Sequence, residues 1–196
     1  MRSSESSAED TKSVKSSWPD IDERQPRQVK SSETVLALPA WSDDCAWLLA
    51  SDGRGRLFKL PAAGGPAQPF TDRESYYAQA VGERVIFNDK QRNGVRLWSK
   101  PMAGGAEMLL KGLPLISYAD AWAVTSAGVY YTARDQGRPA LHFYDFASRA
   151  IRRIAQLPKP PAPGGGLAIA VSQDGHWVLY TQDGEADSDI MLADSR

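Results

Sequence analysis

Few residues in this chain have the type and spacing that chemistry needs. There are two histidines, His142 and His176, and a single cysteine, Cys45. That excludes an internal disulfide and leaves too few soft ligands for a structural zinc site. No G-x-S-x-G nucleophile elbow, no phosphate-binding loop and no H-E-x-x-H pair occurs. Ser172 reads as a turn residue rather than a nucleophile. Neither histidine has a cysteine or carboxylate at a useful spacing; His142 is expected on a strand and His176 at a turn. The alternation Asp183, Glu185, Asp187, Asp189 resembles a calcium loop in spacing but lacks the glycine and the distant glutamate of an EF-hand, so it reads as a solvated acidic loop. The expectation is no enzyme, no catalytic residue, no metal and no cofactor.

The whole chain adds further exclusions. Its 196 residues, 42% of them hydrophobic, suffice for a core. A formal charge of −1 points neither to nucleic acid nor to a membrane surface. No apolar run approaches the roughly 18–20 residues of a membrane span, and the N-terminus has no apolar region of a secretory signal. The compartment, cytoplasmic or periplasmic, stays open. Residues 1–17, serines among charges, are expected to be disordered. Residues 18–30 read as a partial hairpin, with Pro19 and Pro26 weakening its strands.

From about residue 33 one pattern recurs: a strand, a turn, an apolar strand, a loop, a third strand. The turns fall at Asp43-Asp44, Gly82-Glu83, Ala127-Gly128 and Asp174-Gly175. The third-strand positions Leu57, Leu97, Leu141 and Ile190 recur at intervals of 40, 44 and 49 residues. A period of about 40–50 residues with four short strands per unit is that of propeller blades. The expected fold class is therefore all-β, a β-propeller of four recognisable four-stranded antiparallel blades at about 33–71, 76–111, 118–156 and 166–195. The last blade lacks its outer strand. Residues 18–30 are either the tail of a preceding blade in an open fragment or, through Arg27–Lys30, the strand that closes a small ring. The loops between second and third strands are read as Ser51–Arg56, Asp89–Arg96 and Ala133–Ala140. The Pro-rich segment Leu157–Gly166 reads as a rigid connector, and a polyproline ligand for a partner is the alternative. The aromatics Trp47, Trp98, Trp122, Tyr130, Phe143 and Trp177 are expected in the core between blades.

These residues resemble the TolB-like, WD-like propeller repeats. W-S-D-D-C-A-W from Trp41 and V-S-Q-D-G-H-W from Val171 match that family's W-S-P-D-G-x-W turn. L-F-K-L-P-A-A-G-G from Leu57 and L-W-S-K-P-M-A-G-G from Leu97 match its L-W-x-V-P-x-x-G-G hairpin. Asp-Gly is expected to supply the positive φ of a two-residue hairpin. Asp43, Gln173 and Cys45 depart from the pattern and are expected to degrade the turns. The ending from Gly166 resembles the last blade of bacterial regulators in which a CadC-like winged helix, or a serine/threonine kinase, precedes a propeller. That resemblance implies a non-catalytic sensor or interaction module, with neither nucleic-acid binding nor phosphoryl transfer carried by this chain. The alternative is the propeller portion of a prolyl oligopeptidase-like hydrolase, gating substrate.

Propeller geometry places the second-to-third-strand loops and the blade connectors on one face. On it the sequence offers Arg54, Arg92, Arg134, Tyr76 and Tyr118 to a protein partner or small ligand.

Overall fold

A computed structural model describes residues 36–162, 167–172, 174–183 and 188–194. The readings for 1–17 and 18–30 lie outside the described residues, as do parts of the Pro-rich and acidic segments. No helix among the described residues is long and apolar enough to cross a membrane.

The chain is all-β, and its sheets are four blades of a β-propeller. The first blade holds β1 (Leu36–Trp41), β2 (Trp47–Asp52), β3 (Leu57–Pro61) and β4 (Gln68–Pro69). The second holds β5 (Ala78–Val81), β6 (Arg84–Gln91), β7 (Gly94–Pro101) and β8 (Met108–Leu109). The third holds β9 (Trp122–Val124), β10 (Gly128–Asp135), β11 (Arg138–Asp145) and β12 (Ile151–Gln156). The fourth holds β13 (Ile169–Val171), β14 (Trp177–Asp183) and β15 (Ser188–Asp194). Strands pair antiparallel in chain order within each blade, three blades having four strands and the last three among the described residues. The first strands neighbour one another in succession: β1 with β5, β5 with β9, β9 with β13.

Side chains alternate along a strand, so each blade has two faces. In blades 2 and 3 one face meets the following blade and the other meets the preceding one. Leu49 and Leu57 of blade 1 pack forward against Val85 and Phe87 of blade 2. Ile86 and Leu97 on the opposite face of blade 2 pack forward against Trp122, Val129 and Tyr131 of blade 3. Tyr130, Leu141 and Phe143 then pack forward against Val178 and Tyr180 of blade 4. Apolar side chains are thus needed on both faces, which explains the near-continuous runs V-I-F, V-Y-Y and V-L-Y of the second strands. Gln79 reinforces one seam: its Nε2 donates to Trp122 O at 3.1 Å, and Val124 N donates to its Oε1 at 3.0 Å.

The expectations for the turns, for the loops and for Trp177 need correction. The Asp-Gly turn is not a two-residue hairpin. Ser172 N donates to Trp177 O and Gly175 N to Ser172 O, closing a four-residue loop. Inside it Trp177 N donates to Ser172 Oγ at 2.9 Å, and His176 N to Asp174 Oδ1 at 3.0 Å. Nor is the first copy degraded. Trp47 N donates to Ser42 Oγ at 2.9 Å and Ala46 N to Asp44 Oδ1 at 3.0 Å, the same frame. Asp43, where the family pattern has proline, accepts from Gly82 N of the next blade at 2.6 Å. Second, the loops read as Asp89–Arg96 and Ala133–Ala140 are paired strands almost to their tips. β6 and β7 stay in register to Gln91 and Gly94, and β10 and β11 to Asp135 and Arg138. Third, Trp177 is not between blades; it is 41% exposed. Trp47, Trp98, Trp122, Tyr130 and Phe143 do pack between blades.

Candidate recognition face

The face expected to bind is built where second-to-third-strand hairpins meet the connectors between blades. Main-chain hydrogen bonds join them. Ser75 N donates to Gly55 O at 2.6 Å, Val95 and Ile116 exchange bonds of 2.8 and 2.9 Å, and Leu157 N donates to Pro139 O at 2.9 Å.

Buried polar side chains hold these segments. Leu57, Leu97, Leu141 and Ile190 pair across the sheet with Ser51, Asn88, Thr132 and Thr181, so each second strand carries a polar residue at one equivalent place. Asn88 makes most use of it. Its Oδ1 accepts from Ser75 Oγ, Tyr76 N and Tyr77 N at 3.2, 3.1 and 3.0 Å, although only 1% of the residue is exposed. Burying an amide is tolerable because it is so fully paired. In blade 1, Asp52, next to Ser51 in the chain, organises the first hairpin. Its Oδ1 accepts from Arg54 N at 2.9 Å and Arg56 N at 2.8 Å, and its Oδ2 from Arg56 Nε at 2.7 Å. Burial alone would raise the Asp52 pKa, but these hydrogen bonds and the Arg56 charge outweigh it and hold the carboxyl below its ordinary value.

The five expected residues are not gathered into one cluster. Arg54 and Arg92 are exposed at hairpin tips. Tyr76 stands beside Arg54's hairpin: a Cβ on Gly55 would come within 3.0 Å of its ring. Its hydroxyl donates to Glu74 Oε1 at 2.7 Å, and that bond, more than burial, raises its pKa. Arg134 lies on β10 rather than in a loop, and its guanidinium donates to Gly137 O at 3.2 Å. Tyr118 is half-buried and packs on the core between blades 3 and 4, so it supports the face more than it presents itself.

His142 also serves packing. It stacks on Tyr131 at 5.4 Å, and burial lowers its pKa while pushing the Tyr131 phenol up to about 12. No group of three His, Cys, Asp or Glu among the described residues is placed to hold a metal ion. Sequence reading missed Arg84, Lys111 and Arg149, which all line one cavity between blades 2 and 3. They are 27 and 38 residues apart along the chain and share no motif; only the pairing of blades brings them together.

No family model and no curated protein matches the chain. Solved structures do. A putative TolB from Agrobacterium tumefaciens superposes with a TM-score of 0.65 at 19% identity, over 86% of this chain and 61% of that one. TolB from Acinetobacter baumannii superposes with a TM-score of 0.62 at 16% identity, over 90% and 45%. An oligogalacturonate lyase in complex with manganese reaches 0.63 at 12% identity, over 83% and 49%. The chain spans less than two thirds of each of these structures. At such identities the likeness defines a class, the β-propeller with TolB among its similar structures, and says nothing of activity.

Proposed function

We propose that this chain is a non-catalytic recognition module that binds a protein partner or a small ligand on its hairpin-and-connector face. The observation that carries the reading is the fixing of that face by Asp52 and Asn88. Arg54 and Tyr76 project from backbone that is tied down before any partner arrives, which lowers the ordering cost of binding. Arginine and tyrosine suit such a role: one offers a forked cation, the other a rigid ring with a polar tip. Service as the sensor or interaction portion of a larger bacterial regulator, CadC-like or kinase-linked, rests on the resemblance of the sequence from Gly166 onward.

The test is affinity capture with immobilised wild-type chain against a variant carrying Arg54→Glu, Arg92→Glu and Tyr76→Ala. The reading expects a saturable partner whose retention falls at least about tenfold in the variant, with melting unchanged. No saturable partner, or equal retention by both proteins, would contradict it.

A further inference from the structure

The edge of the blades opposite the recognition face carries a cavity of about 710 Å³. It opens between the forward face of blade 2 and the backward face of blade 3. On the blade 2 side it is bounded in part by β8, which has only two residues, Met108 and Leu109, against six in β12.

Two kinds of residue line the space. Ile86, Met108, Leu110, Tyr144 and Phe146 give it apolar walls. Arg84, Lys111 and Arg149 bring positive charge, and no carboxylate is among its lining residues. Arg84 donates through Nη2 to Ser99 Oγ at 2.9 Å, and Ser99 is 1% exposed, so the guanidinium is anchored to the cavity rather than waving in solvent. None of the three cations is in an ion pair among the described residues, whereas Arg56, Arg73, Lys100 and Arg153 all have carboxylate partners. The Tyr144 hydroxyl donates to Lys111 O at 2.7 Å and so fixes the backbone that carries the second cation.

We propose that this cavity is a binding site for an apolar small molecule bearing a carboxylate, an aryl or alkyl carboxylic acid. The volume is that of ordinary ligand pockets, about 300–1,000 Å³. Arg84, Lys111 and Arg149 are all exposed residues of the cavity lining; a neutral apolar guest would make no use of their charge, and a bare inorganic anion would leave the walls unused. An amphipathic anion satisfies both, with its body between Ile86, Met108 and Phe146 and its carboxylate at Arg84, Lys111 and Arg149. The fork of Arg84 is suited to bidentate carboxylate contact. This site is separate from the recognition face and stands or falls without it.

The test uses 2-naphthoate and decanoate as probes, with 2-naphthamide and inorganic phosphate as controls. Binding is followed by calorimetry and by the methyl resonances of Ile86 and Met108. The expected result is one site per chain, shifts at both methyls, and affinity for 2-naphthamide and for phosphate at least about tenfold lower than for 2-naphthoate. A variant with Arg84→Gln, Lys111→Gln and Arg149→Gln should lose about tenfold in 2-naphthoate affinity, while Arg54→Glu should leave it unchanged. Absence of methyl shifts with both acids, or equal binding of acid and amide, overturns the proposal. The acid–amide comparison on the unaltered chain decides the matter even if the triple variant fails to fold.

Discussion

Cys45 sits at a φ of +56° in the place that Gly175 takes at +72° in the fourth blade. The left-handed region costs a residue with a Cβ roughly 1 kcal/mol, a cost glycine avoids. Cys45→Gly is therefore expected to raise stability by about 0.5–1 kcal/mol, and Gly175→Ala to lower it by about 1 kcal/mol, read from urea midpoints. The turn sequence showed where the chain reverses, but not that serine and aspartate side chains hold the turn whichever residue takes the positive φ. Asp52 supports a second expectation at this scale. Its pKa is held below the ordinary 3.8 in the fold, so the carboxylate contributes stability above the unfolded value. That contribution is lost as pH falls through the unfolded value towards the folded one. Denaturation at pH 7 and pH 3 should show a smaller acid loss in Asp52→Asn than in the parent chain. Equal acid losses would remove Asp52 from the explanation.

Among the elements, second strands pack both faces, and in blades 2 and 4 one polar residue, Asn88 or Thr181, also bonds the preceding connector. Asn88→Ala leaves Tyr76 N and Tyr77 N without the side-chain acceptor that pairs them in the fold. A loss of about 2–3 kcal/mol is expected, with hydrogen exchange at those two amides accelerated beyond the change elsewhere. Exchange that rises uniformly would mean that Asn88 does not act on the connector. The strands themselves were legible because β-branched and aromatic runs recur at a near-constant period. Their lengths were not. Asp89, Lys90, Arg134 and Asp135 look like loop residues by polarity, yet main-chain pairing continues through them because their side chains stand at the solvated end of the sheet. Gly94 adds a tertiary reason. A Cβ there would come 2.2 Å from Ile116 O, so the hairpin admits the next connector only through a glycine. The residues proposed for recognition were read as loop positions, but contacts that tie Tyr118 into the core, and the blade pairing that puts Arg84, Lys111 and Arg149 on one cavity, depend on neighbouring blades and leave no local trace.

For the whole molecule, the organising relation is the repeated fit of one blade's forward face on the backward face of the next. Leu49, Ile86, Tyr130 and Leu179 occupy one equivalent place in the four second strands, each two residues before the polar position and on the forward side of its blade. The first three are buried at 0%, 2% and 4% exposure, whereas Leu179 is 44% exposed. Trp177 and Leu192 share that face at 41% and 57%, and Leu192 pairs directly with Leu179. The same feature explains why Trp177 departs from its counterpart Trp47: the sequence positions match, but Trp47 has a following blade against it and Trp177 has none among the described residues. The most direct measurement is urea unfolding of Ile86→Ala beside Leu179→Ala in the isolated chain. If forward-face packing between blades holds the fold, Ile86→Ala should cost about 2–4 kcal/mol and Leu179→Ala less than about 1 kcal/mol. Equal losses would contradict the blade-on-blade arrangement, because the two positions would then be equally packed.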